Sequence, residues 1–95
     1  MRISWDPRKS VANLAARGFD FAYAALIFDG PTLEKPDTRR DYGEARVVAV
    51  GIADGFLLTV VYTDRSSPDG LERRLISARR SNRRERKAYQ TRPQS

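Results

Sequence analysis

The spacing of hydrophobic residues predicts two helices in the first third of the chain. Val11 and Leu14 recur at helical spacing, so a first helix is expected over residues 7–17, after a short strand MRISW. An Asp-Pro pair begins this helix favourably and a glycine ends it. A second helix follows at FAYAALIFD, where apolar residues lie on nearly every side, so we expect it to be the most buried helix.

From Glu44 onward the hydrophobic period becomes that of β-strands. Three runs rich in β-branched residues, EARVVAVGIA, GFLLTVVYT and LERRLISA, are separated by turn residues such as Asp54-Gly55. A further short edge strand is expected near TLEKP, within the weakly patterned residues 31–43. Helices followed by runs of strands indicate an α+β domain, in which an antiparallel sheet is packed on one face by the two N-terminal helices.

The last predicted helix differs from the others because it contains almost no apolar residues. Asn82 and Glu85 have the spacing of a capping box, which places the helix at about residues 83–91. Ala88 and Tyr89 are its only apolar anchors, and basic residues cover most of its surface. A helix that buries so little is expected to serve a purpose outside the core.

Length and composition narrow the classes of protein. Ninety-five residues support one modest core, so we predict a single domain over residues 1–95 with a frayed tail at 91–95. The absence of cysteine and histidine excludes disulfides, thiolate zinc sites and Ser-His or Cys-His catalysis. Acidic residues are scattered singly, so no metal site and no cofactor are predicted. The apolar runs are shorter than the roughly 18 residues of a membrane span, and the N-terminus lacks a signal-peptide core, so we expect a cytoplasmic protein.

The net charge of +6 is unevenly distributed. From Leu71 onward nine basic residues accompany two acidic ones, a balance of +7, so residues 1–70 carry −1. This asymmetry is expected of a surface that binds a polyanion. The candidate RNA-binding residues form a basic patch made of Arg80, Arg83, Arg84, Arg86 and Lys87. Tyr89 is a candidate for stacking on a base and, alternatively, an anchor to the core.

Four stretches together resemble one known family. ISWDPRKSVANLAARGFDFAYAALIFD, YGEARVVAVG, LLTVVYTDR and RLISARRSNRRERKAY are similar, in order and spacing, to BrnT, the toxin of BrnT/BrnA type II toxin–antitoxin modules. The resemblance covers about residues 2–90. It implies a RelE-like fold, ribonuclease activity on mRNA or another cellular RNA that shuts down translation, and a BrnA-like antitoxin in a hetero-oligomer. It also implies that operator DNA is bound only through the antitoxin.

One position departs from the pattern of that family. Members usually have Lys-His-Gly after the first helix, whereas this chain has Ala16-Arg17-Gly18. A guanidinium effectively never deprotonates, so Arg17 keeps a positive charge but does not act as a base near neutral pH. If that histidine transfers protons in its relatives, this chain is expected to be an attenuated member.

Arginines are the candidate catalytic residues for cleavage without a metal. Attack of a 2′-OH on the adjacent phosphodiester builds negative charge on phosphorus, which arginine forks stabilise by paired hydrogen bonds. The candidates are Arg79 at the end of the last strand, Arg65 after the central strand, and Arg46. Each has a structural alternative: an ion pair with a residue such as Asp54 for Arg79, a polar loop residue for Arg65, and a cross-strand pair or a contact with a helix carbonyl for Arg46. Glu85 is either a general base or only a capping residue.

These three arginines are not expected to converge on one phosphate. A two-residue turn at Asp54-Gly55 puts Arg46 opposite Thr63 and near Arg65, while Arg79 falls toward the other end of the sheet, roughly 20 Å away. Either the three track an RNA strand along the sheet, or one of them is not catalytic. Three functions remain open: a metal-independent endoribonuclease toxin, a non-catalytic nucleic-acid-binding module, and an interaction protein whose basic face binds an acidic antitoxin.

Overall fold

Five strands and three helices make up residues 1–93, the part of the chain that the computed structural model describes. The elements are, in order, β1 (Arg2–Trp5), α1 (Pro7–Arg17), α2 (Phe21–Ala24) with a 3-10 continuation (Ala25–Asp29), β2 (Leu33–Pro36), β3 (Val47–Ala53), β4 (Phe56–Ser67), β5 (Gly70–Arg80) and α3 (Arg83–Gln90). The predicted succession of elements is confirmed, including the short strand near TLEKP. The predicted frayed tail at 91–95 lies in part outside the described residues.

The strands form one sheet in the order β1-β5-β4-β3-β2. The prediction of an antiparallel sheet is wrong for one pair, because β1 runs parallel to β5 while the other neighbours are antiparallel. The chain leaves β1 and returns beside it only with its last strand, so this pairing has no local signal. The β4–β5 pairing also contains an irregularity: Val61 pairs with Ser77 and Tyr62 with Leu75, which leaves Ile76 without a partner.

The β3–β4 hairpin has the predicted two-residue turn. Ala53 pairs with Phe56 across Asp54 and Gly55, whose φ angles are 51° and 85°. Positive φ at both central residues is the geometry that matches the twist of a tight hairpin, and Asp-Gly tolerates it. The turn therefore fixes the register of the whole hairpin, and with it the positions of the polar side chains further along β4.

One face of the sheet is covered by α1, α2 and the 3-10 continuation. The buried core contains Phe21, Ala24, Ile27, Ala49, Leu58, Val60, Tyr62, Leu75 and Ala78. A Cβ atom at Gly51 would lie 2.9 Å from Cβ of Ile27, so glycine is required where the second helix crosses β3. No single helix within residues 1–93 is long and apolar enough to span a membrane; α1 and the helix over Phe21–Asp29 reach that length only as a pair, and they are bent by 87°.

The first helix is anchored by polar side chains and not by its apolar residues. Val11 and Leu14, whose spacing predicts the helix, are 68% and 51% exposed. The buried side chains are instead Ser10, which accepts a hydrogen bond from the Phe21 amide, and Asn13, which donates to the Phe19 carbonyl. The helix is held by hydrogen bonds to the chain that follows it, and its apolar residues face outward.

The opposite face of the sheet, called here the open face, is covered only in part. It is carried by the alternate side chains Thr59, Val61 and Thr63 of β4 and by their partners Arg79, Ser77 and Arg74 of β5. At one end α3 is anchored by Tyr89, which is 3% exposed and donates its hydroxyl to the Pro31 carbonyl at 2.9 Å. Ala88 is exposed, so Tyr89 is the only buried apolar anchor of this helix, contrary to the prediction of two.

Candidate active site on the open face

A cavity of about 240 Å³ lies on the open face between α3 and the segment that follows β2. Its lining combines three cationic side chains with two carboxylates and a few small or apolar residues: Lys35, Pro36, Asp37, Thr38, Arg39, Val48, Val61, Ser77, Arg79 and Glu85. The charged groups have a balance of +1. A concave surface with several converging cations suits an anionic ligand.

Arg79 lies near the end of β5, where α3 supplies its partner. Its terminal nitrogens donate to the two carboxylate oxygens of Glu85 at 2.7 and 2.8 Å. The side chain of Arg79 is 42% exposed and that of Glu85 is 15% exposed. The arginine is therefore the member of the pair that an incoming ligand meets. The ion pair suggested as the structural alternative for Arg79 is present, but its partner is Glu85 and not Asp54.

Glu85 holds Arg79 and caps α3 at the same time. Its carboxylate accepts from the Asn82 amide at 2.9 Å, and the Asn82 side chain accepts from the Glu85 amide at 2.8 Å, which confirms the capping box. Burial raises the pKa of Glu85, but hydrogen bonds from Arg79 and the Asn82 amide outweigh it and lower that pKa to about 2. Glu85 is thus ionised near neutral pH and is a poor general base.

A second arginine is held in the same way on the other side of the cavity. Arg39 donates through Nε and Nη2 to the two oxygens of Asp37, both at 2.8 Å. These hydrogen bonds lower the pKa of Asp37 to about 2. Asp37 is 1% exposed and Arg39 is 71% exposed, so again the guanidinium faces outward. Glu85 raises the pKa of Arg79 against a smaller opposing effect of Arg39, which reflects the proximity of the two guanidinium groups.

Arg46 and Arg65 lie together, away from this cavity. Val47 pairs with Tyr62, so Arg46 comes opposite Thr63, and both Arg46 and Arg65 form ion pairs with Glu44, at 3.2 and 3.6 Å. Neither arginine lines the cavity of Arg79. Arg65 lies six positions along β4 from Thr59, the partner of Arg79, which is about 20 Å of strand. The structure thus brings two of the three predicted arginines together and leaves the third apart.

The basic patch is exposed on α3 and on the end of β5. Arg80, Arg83, Arg84, Arg86 and Lys87 are all exposed, and none of them forms an ion pair with any of residues 1–93. Arg86 donates to the Ser81 carbonyl at 2.8 Å, and the Arg80 guanidinium lies 5.2 Å from the centre of the Phe56 ring. Tyr89 is buried beneath Arg92, which stacks 3.7 Å from its ring centre, so its role here is that of an anchor.

Comparison with models of known protein families shows which family this chain belongs to. A family model described as "Ribonuclease toxin, BrnT, of type II toxin-antitoxin system" matches residues 5–85. The chain belongs to the BrnT family. A search of curated proteins found no match. Membership implies an RNA substrate and an antitoxin partner.

In this BrnT family member Arg17, the position at which the sequence was expected to depart from the family pattern, has a clear structural role. Its Nη1 donates to the Asn13 side chain at 2.9 Å and to the Ala78 carbonyl at 3.0 Å. β1 ends opposite Leu75, so among the described strands none pairs with this edge of β5 beyond that point. Arg17 therefore ties the end of α1 to an unpaired strand edge, and it does not line the cavity of Arg79.

Sequence reasoning missed the cavity residues contributed by the segment after β2. Asp37, Thr38 and Arg39 lie where the hydrophobic pattern is weak, and nothing in that stretch predicts its path over the sheet. The spacing of Asp37 and Arg39, two residues apart directly after a proline, is the available signal, since such a turn can close an ion pair on itself. Its position over the sheet follows from a tertiary contact, the hydrogen bond from the Asp37 amide to the Arg46 carbonyl at 2.8 Å.

Proposed function

We propose that this protein is an endoribonuclease toxin that cleaves RNA in the cavity between Arg79 and Arg39, without a metal ion, and thereby inhibits translation. The observation that carries the proposal is the pair of exposed guanidinium groups on opposite sides of one cavity, each oriented by an ionised carboxylate. Orientation of this kind is what electrostatic stabilisation of a transition state requires, because the donors need not reorganise as charge develops.

The reaction consistent with these residues is internal transfer of the phosphodiester. The 2′-oxygen attacks phosphorus, the bond from phosphorus to the 5′-oxygen breaks, and the products are a 2′,3′-cyclic phosphate and a 5′-OH end. Arg79 and Arg39 donate hydrogen bonds to the non-bridging oxygens. Since Asp37 and Glu85 both have a pKa of about 2, neither is suited to take the 2′-OH proton near neutral pH, so solvent receives it, and solvent also supplies the proton that the departing 5′-oxygen takes up.

Metal independence is supported by the distribution of possible ligands. Within residues 1–93 no three acidic side chains are grouped so that they can hold a metal ion, and the two carboxylates of the cavity are each committed to an arginine. A two-metal mechanism needs carboxylates that are free to coordinate. We therefore place the whole of the charge stabilisation on arginine and lysine side chains.

We further propose a cytoplasmic toxin with a RelE-like fold that a cognate, BrnA-like antitoxin neutralises in a hetero-oligomer. The basic patch offers exposed cations without ion partners among the described residues, and it borders the cavity through α3. An acidic antitoxin segment on this patch competes directly with RNA. A structure of the complex with the antitoxin on the apolar groove around Leu14 and Phe56 contradicts this part of the proposal when it leaves the patch residues of α3 open, which are Arg83, Arg84, Arg86 and Lys87.

A second function is favoured by one specific observation. Both guanidinium forks are already occupied by carboxylates, so the protein has the features of a module that binds RNA without cleaving it. Such a module competes for RNA through charge alone. Its affinity therefore falls steeply with added salt.

The test is incubation of the purified protein with end-labelled single-stranded RNA, with and without EDTA. We expect cleavage in both conditions, with a 2′,3′-cyclic phosphate on the upstream fragment, identified by mass spectrometry. Complete loss of cleavage with EDTA, restored by magnesium, contradicts the arginine mechanism. Salt-dependent binding with no cleavage in either condition favours the second function.

A further inference from the structure

A cluster of stacked arginine and tyrosine side chains lies on the open face at the end away from Arg79. We call it the Tyr42 cluster, and it consists of Arg40, Tyr42, Glu44, Arg46 and Arg65. The guanidinium carbon of Arg46 is 3.9 Å from the centre of the Tyr42 ring, and that of Arg40 is 5.1 Å from it. Three cations and one carboxylate give the cluster a balance of +2, with an aromatic ring at its centre.

Two arginines of this cluster keep hydrogen-bond donors that no other side chain of the cluster uses. Arg65 is 56% exposed and lies 3.6 Å from Glu44, which is beyond the usual length of a hydrogen bond. Arg40 is exposed and forms no ion pair within residues 1–93, so its only described partner is the ring. When a base stacks on Tyr42 in place of Arg40, only the weak cation–π contact of Arg40 with the ring is lost. Arg65 retains donors for a phosphate.

The cluster is continuous with the candidate active site. The segment from Asp37 to Arg46 begins in the cavity and ends in the cluster, and it is closed by the hydrogen bond from the Asp37 amide to the Arg46 carbonyl at 2.8 Å. Between the two sites lie Arg74 and its partner Thr63, which is 3% exposed.

We propose that the Tyr42 cluster is a second RNA subsite, which binds a base on Tyr42 and a phosphate on Arg65 and Arg46, several nucleotides from the bond that is cleaved. This inference rests on the proposed function, whose substrate it specifies: an extended single strand that follows the open face from the cavity to the cluster. Base stacking on an aromatic ring combined with arginine contacts to the backbone is how single strands are bound without strong sequence preference.

The subsite predicts a dependence on substrate length. Tyr42→Leu and Arg65→Ala should each lower kcat/KM about tenfold for an RNA of a dozen nucleotides, since a stacked base contributes about 1–3 kcal/mol. Neither change should alter cleavage of a dinucleotide, which is too short to leave the cavity. Tyr42→Phe keeps the ring and loses the hydroxyl, so it should behave as the unmodified protein. Arg8→Ala, which removes a 94% exposed charge on α1, is the matched control.

Binding separates this inference from the proposed function. A 2′-O-methyl oligonucleotide of the same dozen nucleotides lacks the attacking hydroxyl, so its affinity, measured by fluorescence anisotropy, does not depend on cleavage. Tyr42→Leu and Arg65→Ala should each weaken it about tenfold, and Tyr42→Phe and Arg8→Ala should leave it unchanged. Unchanged affinity in Tyr42→Leu and Arg65→Ala overturns the subsite, even where the protein cleaves RNA. Absence of cleavage by the unmodified protein overturns the proposed function alone.

Discussion

Two arginines of β5 form bidentate ion pairs of the same kind on opposite faces of the sheet. Arg73 donates to both oxygens of Asp64 at 2.9 Å on the core face, just as Arg79 does to Glu85 on the open face. Arg73, however, is 15% exposed, and its guanidinium lies 3.9 Å from the ring centre of Tyr62 and 4.8 Å from that of Phe28.

The difference between the two pairs lies in what covers the planar faces of the guanidinium. Aromatic rings stack on Arg73, so its guanidinium interacts with other residues of the fold and has little contact with solvent. Arg79 instead borders a cavity and is 42% exposed. An arginine–carboxylate pair therefore does not by itself distinguish a structural residue from a functional one. The surroundings of the pair make that distinction, and the sequence alone does not contain them.

Replacing each arginine in turn tests whether Arg79 acts in catalysis and Arg73 in stability. Arg79→Ala should lower the turnover rate about 100-fold or more, with a small change in RNA affinity, because the contact strengthens in the transition state. Arg73→Ala should instead destabilise the fold by about 2 kcal/mol, since it removes stacked and paired contacts, and leave the turnover of the folded protein unchanged. Single-turnover kinetics and urea unfolding measure the two effects. Normal activity in a folded Arg79→Ala protein removes Arg79 from the mechanism.

Local signals explain which parts of the fold were predictable. Asp6, Asp20 and Asn82 cap the three helices as their positions in the sequence indicate, and the turn at Asp54-Gly55 fixes the hairpin. Each of these signals acts within a few residues, so it can be read from the chain directly. The parallel pairing of β1 with β5 depends on residues 70 positions apart, as in Arg2 with Glu72, and no local pattern encodes it.

The candidate site was predictable only in part, for the same reason. Arg79 stood out because it ends a strand before a capping box. Arg39 did not, because its place beside Arg79 depends on the segment after β2 folding across the sheet. Val11 and Leu14 show the opposite failure: their spacing correctly predicts a helix but not its buried face, which Ser10 and Asn13 provide through hydrogen bonds.

The stability of the protein should depend on pH in the acid range because of the two carboxylates of the cavity. Glu85 and Asp37 have pKa values of about 2 in the folded protein, below their ordinary values of 4.5 and 3.8. The unfolded chain therefore binds protons first as the pH falls. The stability that these groups contribute is fully present above about pH 4.5 and is lost as the pH falls toward 2.

Glu85→Gln is the variant that tests this titration. Glutamine can still serve in a capping box, but it has no charge to titrate. We expect the variant to be less stable than the unmodified protein at pH 7 and to lose less stability between pH 5 and pH 2. Thermal unfolding over this pH range measures both. Parallel pH profiles for the two proteins contradict the assignment of this titration to Glu85.

The basic patch should affect binding and not turnover, which extends the contrast with Arg79. Arg83 and Arg84 are exposed and meet RNA as simple charges, so Arg83→Ala or Arg84→Ala should weaken binding to all sequences and reduce the slope of log affinity against log salt by about 0.7 to 1. Titration of a labelled single strand at several salt concentrations provides the slope. Arg8→Ala, an exposed charge on the other side of the molecule, should leave the slope unchanged, and an equal effect of all three changes indicates net charge without a patch.

The smallest effect is expected at Arg17, which is a third kind of arginine in this protein. Its guanidinium ties α1 to the Ala78 carbonyl, beside Arg79 in the chain but outside the cavity. Arg17→His, which restores the residue usual in the family, should therefore leave the turnover rate unchanged and lower stability by about 1 kcal/mol, the usual contribution of a hydrogen bond to a buried or strand-edge carbonyl. Turnover measured across pH 5 to 8 checks the result. A gain in activity that follows a titration near pH 6.5 identifies position 17 as a proton-transfer site, and the chain as an attenuated toxin in which the arginines alone do not provide full catalysis.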